Sequence, residues 1–282
     1  MAENSGLRVY LLSPKELSPE TIAVAFAKTS RSPESFREIA EGLTDEKSAD
    51  FHEKWVVGYG HASVAEHAVL HLAFENVSRL AIECLESNRL ASYTEKSTRY
   101  QRWKADSFHR PEEVRTSRHL ALYEGTCQRL FQTYLDSLPA VEGVVRQLNP
   151  PSEHETQAAW ESRLRSKYVD VCRFLLPAAA LANVGMTANA RVLEHALGKM
   201  LSHPLQEVRE IGRAAKAACM KEVPTLLKYA ETLPYLSASG TRLRQMAGEL
   251  APAREGDWLQ LLAYDPQGEQ RVLAAALVEH GH

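Results

Sequence analysis

Six apolar residues set the strongest constraint on how this chain folds. Leu120, Tyr123, Cys127, Phe131, Tyr134 and Leu138 recur at steps of three and four, the spacing that gathers side chains on one stripe of an α-helix. The pattern predicts a long helix opening at Pro111, where a missing N–H costs nothing. Asn149-Pro150-Pro151-Ser152 then makes the sharpest break in the chain. A second long helix is expected from there to about Leu176, stopped by Pro177, which cannot continue a helix.

Around this pair the remaining elements are shorter. Residues 7–12 mix β-formers and apolar residues and read as a first strand. Ser18-Pro19-Glu20 and Ser32-Pro33-Glu34 each set a capping hydroxyl before a proline, with a carboxylate in the first turn. Thr44-Asp45-Glu46 opens a third helix that runs toward Val57 and stops at Gly58-Tyr59-Gly60. Residues 67–74, HAVLHLAF, half-alternate and read as a buried strand, and residues 77–85 return to helical spacing. Residues 87–100 are polar and basic, a loop or a loop-edged strand. Thr187-Ala188-Asn189 reads as the start of a helix through Leu201, and Pro204 as the start of the next, to Ala218 or beyond. A Tyr264-Asp265-Pro266-Gln267-Gly268 turn divides the tail. Helices dominate and the strands do not alternate with them in βαβ rhythm, so the fold class is α+β.

Composition narrows the partners more than the fold. A net charge of −3 gives no overall field favouring a nucleic acid polymer or an anionic membrane, so any anion site must be local. The four cysteines, at 84, 127, 172 and 219, show no paired spacing, which suits a reducing compartment. The first residues form neither a signal nor a transit peptide, and no apolar run approaches the roughly 20 residues that span a bilayer. The expected location is the cytoplasm.

Equally informative are the motifs that do not occur. No G-x-G-x-x-G follows a strand and no P-loop is present, so a bound nucleotide must be held by side chains and helix ends. His61, His67 and His71 lack the H-E-x-x-H order of a zinc helix, and His67 and His71 would stand roughly 13 Å apart on a strand. No metal is expected. Residues 87–100 carry five serine or threonine hydroxyls, Arg89, Arg99 and Lys96, the fork-and-hydroxyl chemistry that phosphate requires. Arg173, Asn189, Arg191, His195 and Lys199 form a second basic-polar group, with His195 and Lys199 on one helix face. On composition alone the first group reads more readily as a solvated loop, and the second equally well as a polar helix surface.

In their order and separation these segments resemble the flavin-dependent thymidylate synthases. That family's Arg-His-Arg, seven residues, then Ser-x-Arg corresponds to Ser87-Asn88-Arg89 and Ser97-Thr98-Arg99. Its upstream Gly-His and Glu-His correspond to Gly60-His61 and Glu66-His67, with Ser63 between. Downstream, Arg173-Phe174-Leu175-Leu176-Pro177, Thr187-Ala188-Asn189-Ala190-Arg191 and Glu207-Val208-Arg209-Glu210 follow the family pattern, as does Ala27 to Ser30 near the start. The similarity spans roughly residues 20–230, with residues 231–282 as a C-terminal extension.

The resemblance implies a homotetramer of α+β subunits that binds FAD across its interfaces. It implies methyl formation on the uracil ring of dUMP from methylenetetrahydrofolate, with NADPH as reductant and no cysteine nucleophile. By position, Ser30, Ser63, Glu66, Arg89, Leu90, Thr94, Glu95, Asn189 and His195 would meet FAD. Cys84, Ser97, Arg99, Arg173 and Lys199 would meet a pyrimidine nucleotide monophosphate, with Arg89 and Ser97 nearest the chemistry. Several positions depart from the pattern. Ser87 and Asn88 replace an arginine and a histidine, Cys84 a glutamine, Thr94 and His195 two asparagines, and Lys199 or Met200 an arginine. An enzyme of changed efficiency or acceptor and a non-catalytic flavin- or nucleotide-binding partner of an authentic synthase both fit such a half-retained signature.

Overall fold

The computed structural model describes residues 10–30, 32–249 and 265–279. The chain divides into two compact units, residues 1–238 and 239–282. Among the described residues no helix is long and apolar enough to cross a membrane.

Unit one is built on a three-stranded antiparallel sheet in the order β1-β3-β2. Strand β1 (Val69–Ser78) pairs with β3 (Leu181–Asn189), and β3 pairs with β2 (Ser92–Glu95). The α+β expectation therefore holds, and so does the strand within residues 87–100. Because side chains alternate along a strand, the sheet has two unlike faces. Leu70, Phe74, Ala182, Val184, Met186 and Ala188 enter the core. On the other face His71 pairs with Thr187 and Thr187 with Ser92, while Ala73 pairs with Gly185 and Gly185 with Thr94. His71, Ala73, Gly185, Ser92 and Thr94 are exposed, so among the described residues no element covers that face.

The helices close the core from the other side. Helix α6 (Leu120–Leu148) buries Cys127, Phe131, Tyr134 and Leu138, the stripe read from spacing. It does not begin at Pro111. A short α5 (Glu112–Arg115) precedes it and residues 116–119 break the pattern. Helix α7 (Gln157–Cys172) packs on α6, passes into a 3-10 turn at Arg173–Leu175 and stops before Pro177. Arg146 of α6 clasps Glu161 of α7 at 2.9 Å. Helices α8 (Ala190–Leu201) and α9 (Gln206–Cys219) cross closely at Gly212, where a Cβ would stand 2.9 Å from the Cβ of Met200. The Pro204 start is thus delayed to Gln206.

Near the N-terminus the capping signals decide the boundaries. Ser18 caps α1 (Pro19–Thr29) and Thr44 caps α3 (Asp45–Phe51), as their sequence indicates. Helix α2 (Phe36–Glu41) is capped by Ser35 rather than Ser32, because Ser35 and Glu38 form a reciprocal capping box that the Ser-Pro pair cannot match. Of the strand expected at residues 7–12, only 10–12 are described, and they have no regular structure; the Tyr10 hydroxyl accepts the Arg37 N–H at 3.2 Å. After α3 the chain winds on through wider i→i+5 turns at His52–Gly58. Gly60 then takes φ 72°, a conformation that favours glycine.

Three further boundaries differ from the sequence reading. Residues Ala62–His67 form a 3-10 turn, so the strand starts at Val69 and continues to Ser78, beyond Phe74. Ser78 accepts the Ala81 N–H at 3.0 Å, which makes it the cap of α4 (Arg79–Glu86) rather than a helical residue. Thr187, Ala188 and Asn189 belong to β3, and only the Asn189 side chain serves the helix, accepting the Val192 N–H at 2.9 Å.

A buried carboxylate joins the two limits of this body. Glu20 of α1 accepts the N–H groups of Thr225 and Leu226 at 2.8 and 2.9 Å. Helix α10 (Pro234–Glu249) follows. In unit two, α11 (Gly268–Glu279) starts after a turn in which Asp265 accepts the Gln267 N–H, at the tail turn read from sequence. Tyr264 of that turn lies outside the described residues.

Candidate functional site

Three groups of side chains carry the residues singled out by sequence. The first is cationic. Lys96 bonds its N–H to Asn183 O at 2.8 Å, which fixes the exit of β2 and turns residues 97–99 toward the end of α7. There Asp170 Oδ1 lies 3.3 Å from Arg99 Nε and 2.9 Å from Arg173 Nε, ion pairs without hydrogen-bond alignment. Arg173 also donates to Thr98 Oγ1 at 3.1 Å, and Ser97 Oγ accepts the Arg99 N–H at 3.2 Å. Two guanidinium groups thus meet at one carboxylate, with the Thr98 hydroxyl on one of them and the Ser97 hydroxyl at the backbone of the other, an arrangement that can take an oxyanion in the carboxylate's place. Sequence reading misses Asp170, although it stands three residues before Arg173 at the end of the expected helix.

The second group lies where α8 meets the end of α4. Lys199 Nζ donates to Ser87 Oγ at 3.1 Å and to Asn88 Oδ1 at 3.4 Å. Asn88 is buried, whereas Arg89 and Leu90 are exposed, Leu90 to 82%. Cys84 Sγ stands 3.4 Å from His203 Nε2. His203 Nδ1 accepts the Leu205 N–H at 3.1 Å, so in the neutral ring Nε2 carries the proton and faces the sulfur. Burial raises the Cys84 thiol, with the Glu207 and Glu83 carboxylates adding to the rise; burial and then Arg209 lower His203. A thiol and a neutral imidazole are the neutral-pH states, an arrangement for hydrogen bonding rather than nucleophilic attack. His195 is exposed on the same helix, one turn before Lys199.

The third group is a cleft of about 760 Å³. Ser30 and Phe26 at the end of α1, Ser63, Glu66 and His67 of the 3-10 turn, and Trp55 and His61 form much of its wall. Phe26 stacks on His67 at 4.8 Å between centroids, and Trp55 lies 5.9 Å from His61. His52, fully buried, hydrogen-bonds Glu20 O at 3.0 Å and ties the wide turns to α1. Lys28 adds a cation to the wall. Of the nine residues expected to meet FAD, Ser30, Ser63 and Glu66 line this cleft. Glu66 pairs with Arg191, which follows the Asn189 cap, and so links the cleft to α8. Thr94 sits on the uncovered sheet face; Glu95 points to the opposite side and pairs with Arg79.

The Glu207-Val208-Arg209-Glu210 segment is braced internally. Glu207 accepts the Ser78 N–H and hydroxyl at 2.7 and 2.6 Å, and Arg209 donates to His203 O at 2.7 Å. The aromatic wall escaped sequence reading, although Phe51, Trp55, Tyr59 and His61 lie within eleven residues. Phe51, Trp55 and Tyr59 recur at steps of four, a stripe that was there to be read; what the spacing does not show is that Phe51, Trp55 and His61 turn toward the cleft.

A small antiparallel sheet flanked by long helices defines an α+β class, here with an arginine pair and a ligand-sized cleft. Residues 12–225 match the family described as thymidylate synthase complementing protein, and the chain belongs to that family. A flavin-dependent thymidylate synthase of Thermococcus onnurineus is 30% identical over 237 residues, covering 81% of this chain and 86% of that protein. A UPF0159 protein of Chlamydia pneumoniae is 32% identical over 254 residues, 84% of this chain but 48% of the relative. The chain spans about half the length of the UPF0159 relatives it matches. Two solved structures share the fold. A UMP/dUMP methylase from Streptomyces cacaoi, bound with 5-Br dUMP, superposes with a TM-score of 0.54 at 18% identity, covering 75% of this chain and 89% of that one. A Helicobacter pylori flavin-dependent thymidylate synthase complexed with FAD and dUMP gives 0.51 at 17% identity, covering 76% and 96%.

Proposed function

We propose that this chain is a flavin-dependent thymidylate synthase-like enzyme that transfers a one-carbon unit to the ring of a pyrimidine nucleotide monophosphate, dUMP being the first candidate. The observation that carries this reading is the convergence of Arg99 and Arg173 on Asp170 beside Ser97 and Thr98. A monophosphate entering there exchanges one carboxylate for its own oxygens and engages both forks. The bound states of the two solved structures, dUMP or its bromo analogue, support the same ligand class.

The residues present also suit FAD. The cleft is of the volume that ligand pockets occupy. It offers aromatic faces at Trp55 and His61 for a planar ring, Glu66 and Ser63 for hydroxyls, and Lys28 for a phosphate. When bound and reduced, FAD would supply the two electrons that bring the transferred carbon, once bonded to the ring, to the methyl level. Methylenetetrahydrofolate is the proposed carbon donor and NADPH the proposed reductant. The chain's own part is positioning: Arg99 and Arg173 fix the phosphate, and Arg89 and Ser97 flank the ring. The expected FAD residues are split between the cleft and the exposed faces of α8 and β2, which supports a cofactor shared between subunits of a homo-oligomer, proposed as a tetramer.

Ser87 and Asn88 favour a slow reaction on dUMP, because neutral groups do not stabilise negative charge developing on ring atoms as an arginine does. The test is dTMP formation from dUMP, methylenetetrahydrofolate and NADPH with FAD added. Expected is turnover several decades below that of the Thermococcus onnurineus relative, raised by Ser87→Arg with Asn88→His. A protein that binds neither FAD nor dUMP would sink the reading; one that binds both without turnover points to a non-catalytic partner subunit.

A further inference from the structure

The arm that carries Ser97, Thr98 and Arg99 leaves β3 and returns to it at nearly the same point. At its start the Lys96 N–H donates to Asn183 O at 2.8 Å. At its end the Trp103 indole N–H donates to Leu181 O at 2.7 Å. Carbonyls two apart on a strand point the same way, roughly 7 Å from one another, so both stems hang from one edge of β3. The stems are also joined to each other. Lys96 Nζ lies 4.8 Å from the centroid of the Trp103 ring, within cation–π reach. Trp103 is buried in the core at 2% exposure, whereas Lys96 is exposed. The ring is the fixed half of this clasp and the lysine is the half laid across it.

Within the arm, one turn sets the direction of Arg99. The Gln101 N–H donates to Ser97 O at 3.1 Å, and the Arg99 N–H to Ser97 Oγ at 3.2 Å. Arg102, next to Trp103, lies over the Tyr168 ring at 5.2 Å and bonds its hydroxyl. Tyr168 sits on α7 two residues before Asp170, the carboxylate that Arg99 and Arg173 share. The far stem is therefore in register with the helix that the arm must face. Without such ties a connection of this length would lose its backbone freedom only when a ligand arrived, and the ligand's affinity would fall by that much.

We propose that the Lys96–Trp103 clasp is the positioning device of the anion site. It presets Arg99 opposite Arg173 and so raises affinity for a nucleotide's phosphate without touching the nucleotide. This deepens the functional reading above and rests on it. Lys96 acts through Arg99 by geometry, not as a third charge on the phosphate.

Amide hydrogen exchange in the ligand-free full chain tests the clasp, and calorimetry with dUMP and with FAD tests what the clasp does. Lys96→Met removes the charge but keeps an apolar stem. It should speed exchange at the Arg99 and Gln101 amides about tenfold and weaken dUMP by about fivefold. Lys96→Arg, which also stacks on an indole, should hold both at wild-type values. Trp103→Phe leaves the lysine charge in place but removes the bond to Leu181 O, and it should weaken dUMP as Lys96→Met does. FAD affinity should stay within about twofold in all of them, and in an Arg99→Ala background Lys96→Met should add less than about a twofold loss of dUMP, because residues acting as one unit are not additive. Equal exchange in wild type and Lys96→Met overturns the proposal. So does a full further loss on top of Arg99→Ala, which would make Lys96 a direct phosphate contact, and so does a parallel loss of FAD. Wild-type protein that does not bind dUMP removes the functional reading, while amide exchange still decides on the clasp.

Discussion

The Arg173 guanidinium donates to the Thr98 hydroxyl at 3.1 Å, across 75 positions of sequence. It makes one site of two basic-polar stretches that the sequence presents separately. Arg99 of the first stretch and Arg173 of the second then share Asp170.

Arg99→Ala and Arg173→Ala should each weaken dUMP binding by at least about tenfold, since a charged hydrogen bond contributes about 1.5–3 kcal/mol. Arg99→Lys should restore only part, because an ammonium lacks the planar fork. Calorimetry at two salt concentrations checks both points. Equal dUMP affinity in wild type and Arg99→Ala would remove that residue from the site.

Assembly is tested independently of chemistry. The purified chain should scatter light as an oligomer, with a tetramer expected, and FAD should raise its melting temperature by mass action. A monomer indifferent to saturating FAD would contradict a shared cofactor.

Acid should loosen the cleft through His52. Burial holds this ring below its ordinary value of 6.5. As pH falls below 6.5 the unfolded chain takes up a proton that the native ring resists, so stability drops; above 6.5 the ring is neutral in both states and contributes no slope. Melting temperatures between pH 7 and 5 should fall less steeply in His52→Leu than in wild type. Parallel curves would assign the acid sensitivity elsewhere.

Gly212→Ala probes the seat of α8. Its new methyl would stand 2.9 Å from Met200 Cβ, and Leu201 N is 3.4 Å away. Overpacking of this kind costs about 1–3 kcal/mol, seen as a melting point several degrees lower. A wild-type melt would mean that the two helices separate freely.

What the sequence disclosed follows from the range of each signal. Helix α6 declared itself because its stripe needs only neighbours three and four apart. The Ser18 and Thr44 caps are equally local. Strand β3 was hidden because Ala182, Asn183, Gly185 and Ala188 are weak β-formers; pairing on both sides, not propensity, makes it a strand. The candidate residues of the site were found through family order, yet their partners were not. Asp170 for Arg99, Ser87 for Lys199 and Arg191 for Glu66 come from distant elements that no local pattern announces; only Asp170 and Arg173, three apart, form a local pair.

The grip of Glu20 on Thr225 and Leu226 brings the first helix and the segment after α9 side by side. A body closed in this way has no obligatory starting point. A circularly permuted chain, opened at the exposed residues 150–152 and joined across that seam, should retain every strand pairing. Cutting away residues 224–227 instead strands a buried carboxylate, so the seam tolerates splicing far better than trimming.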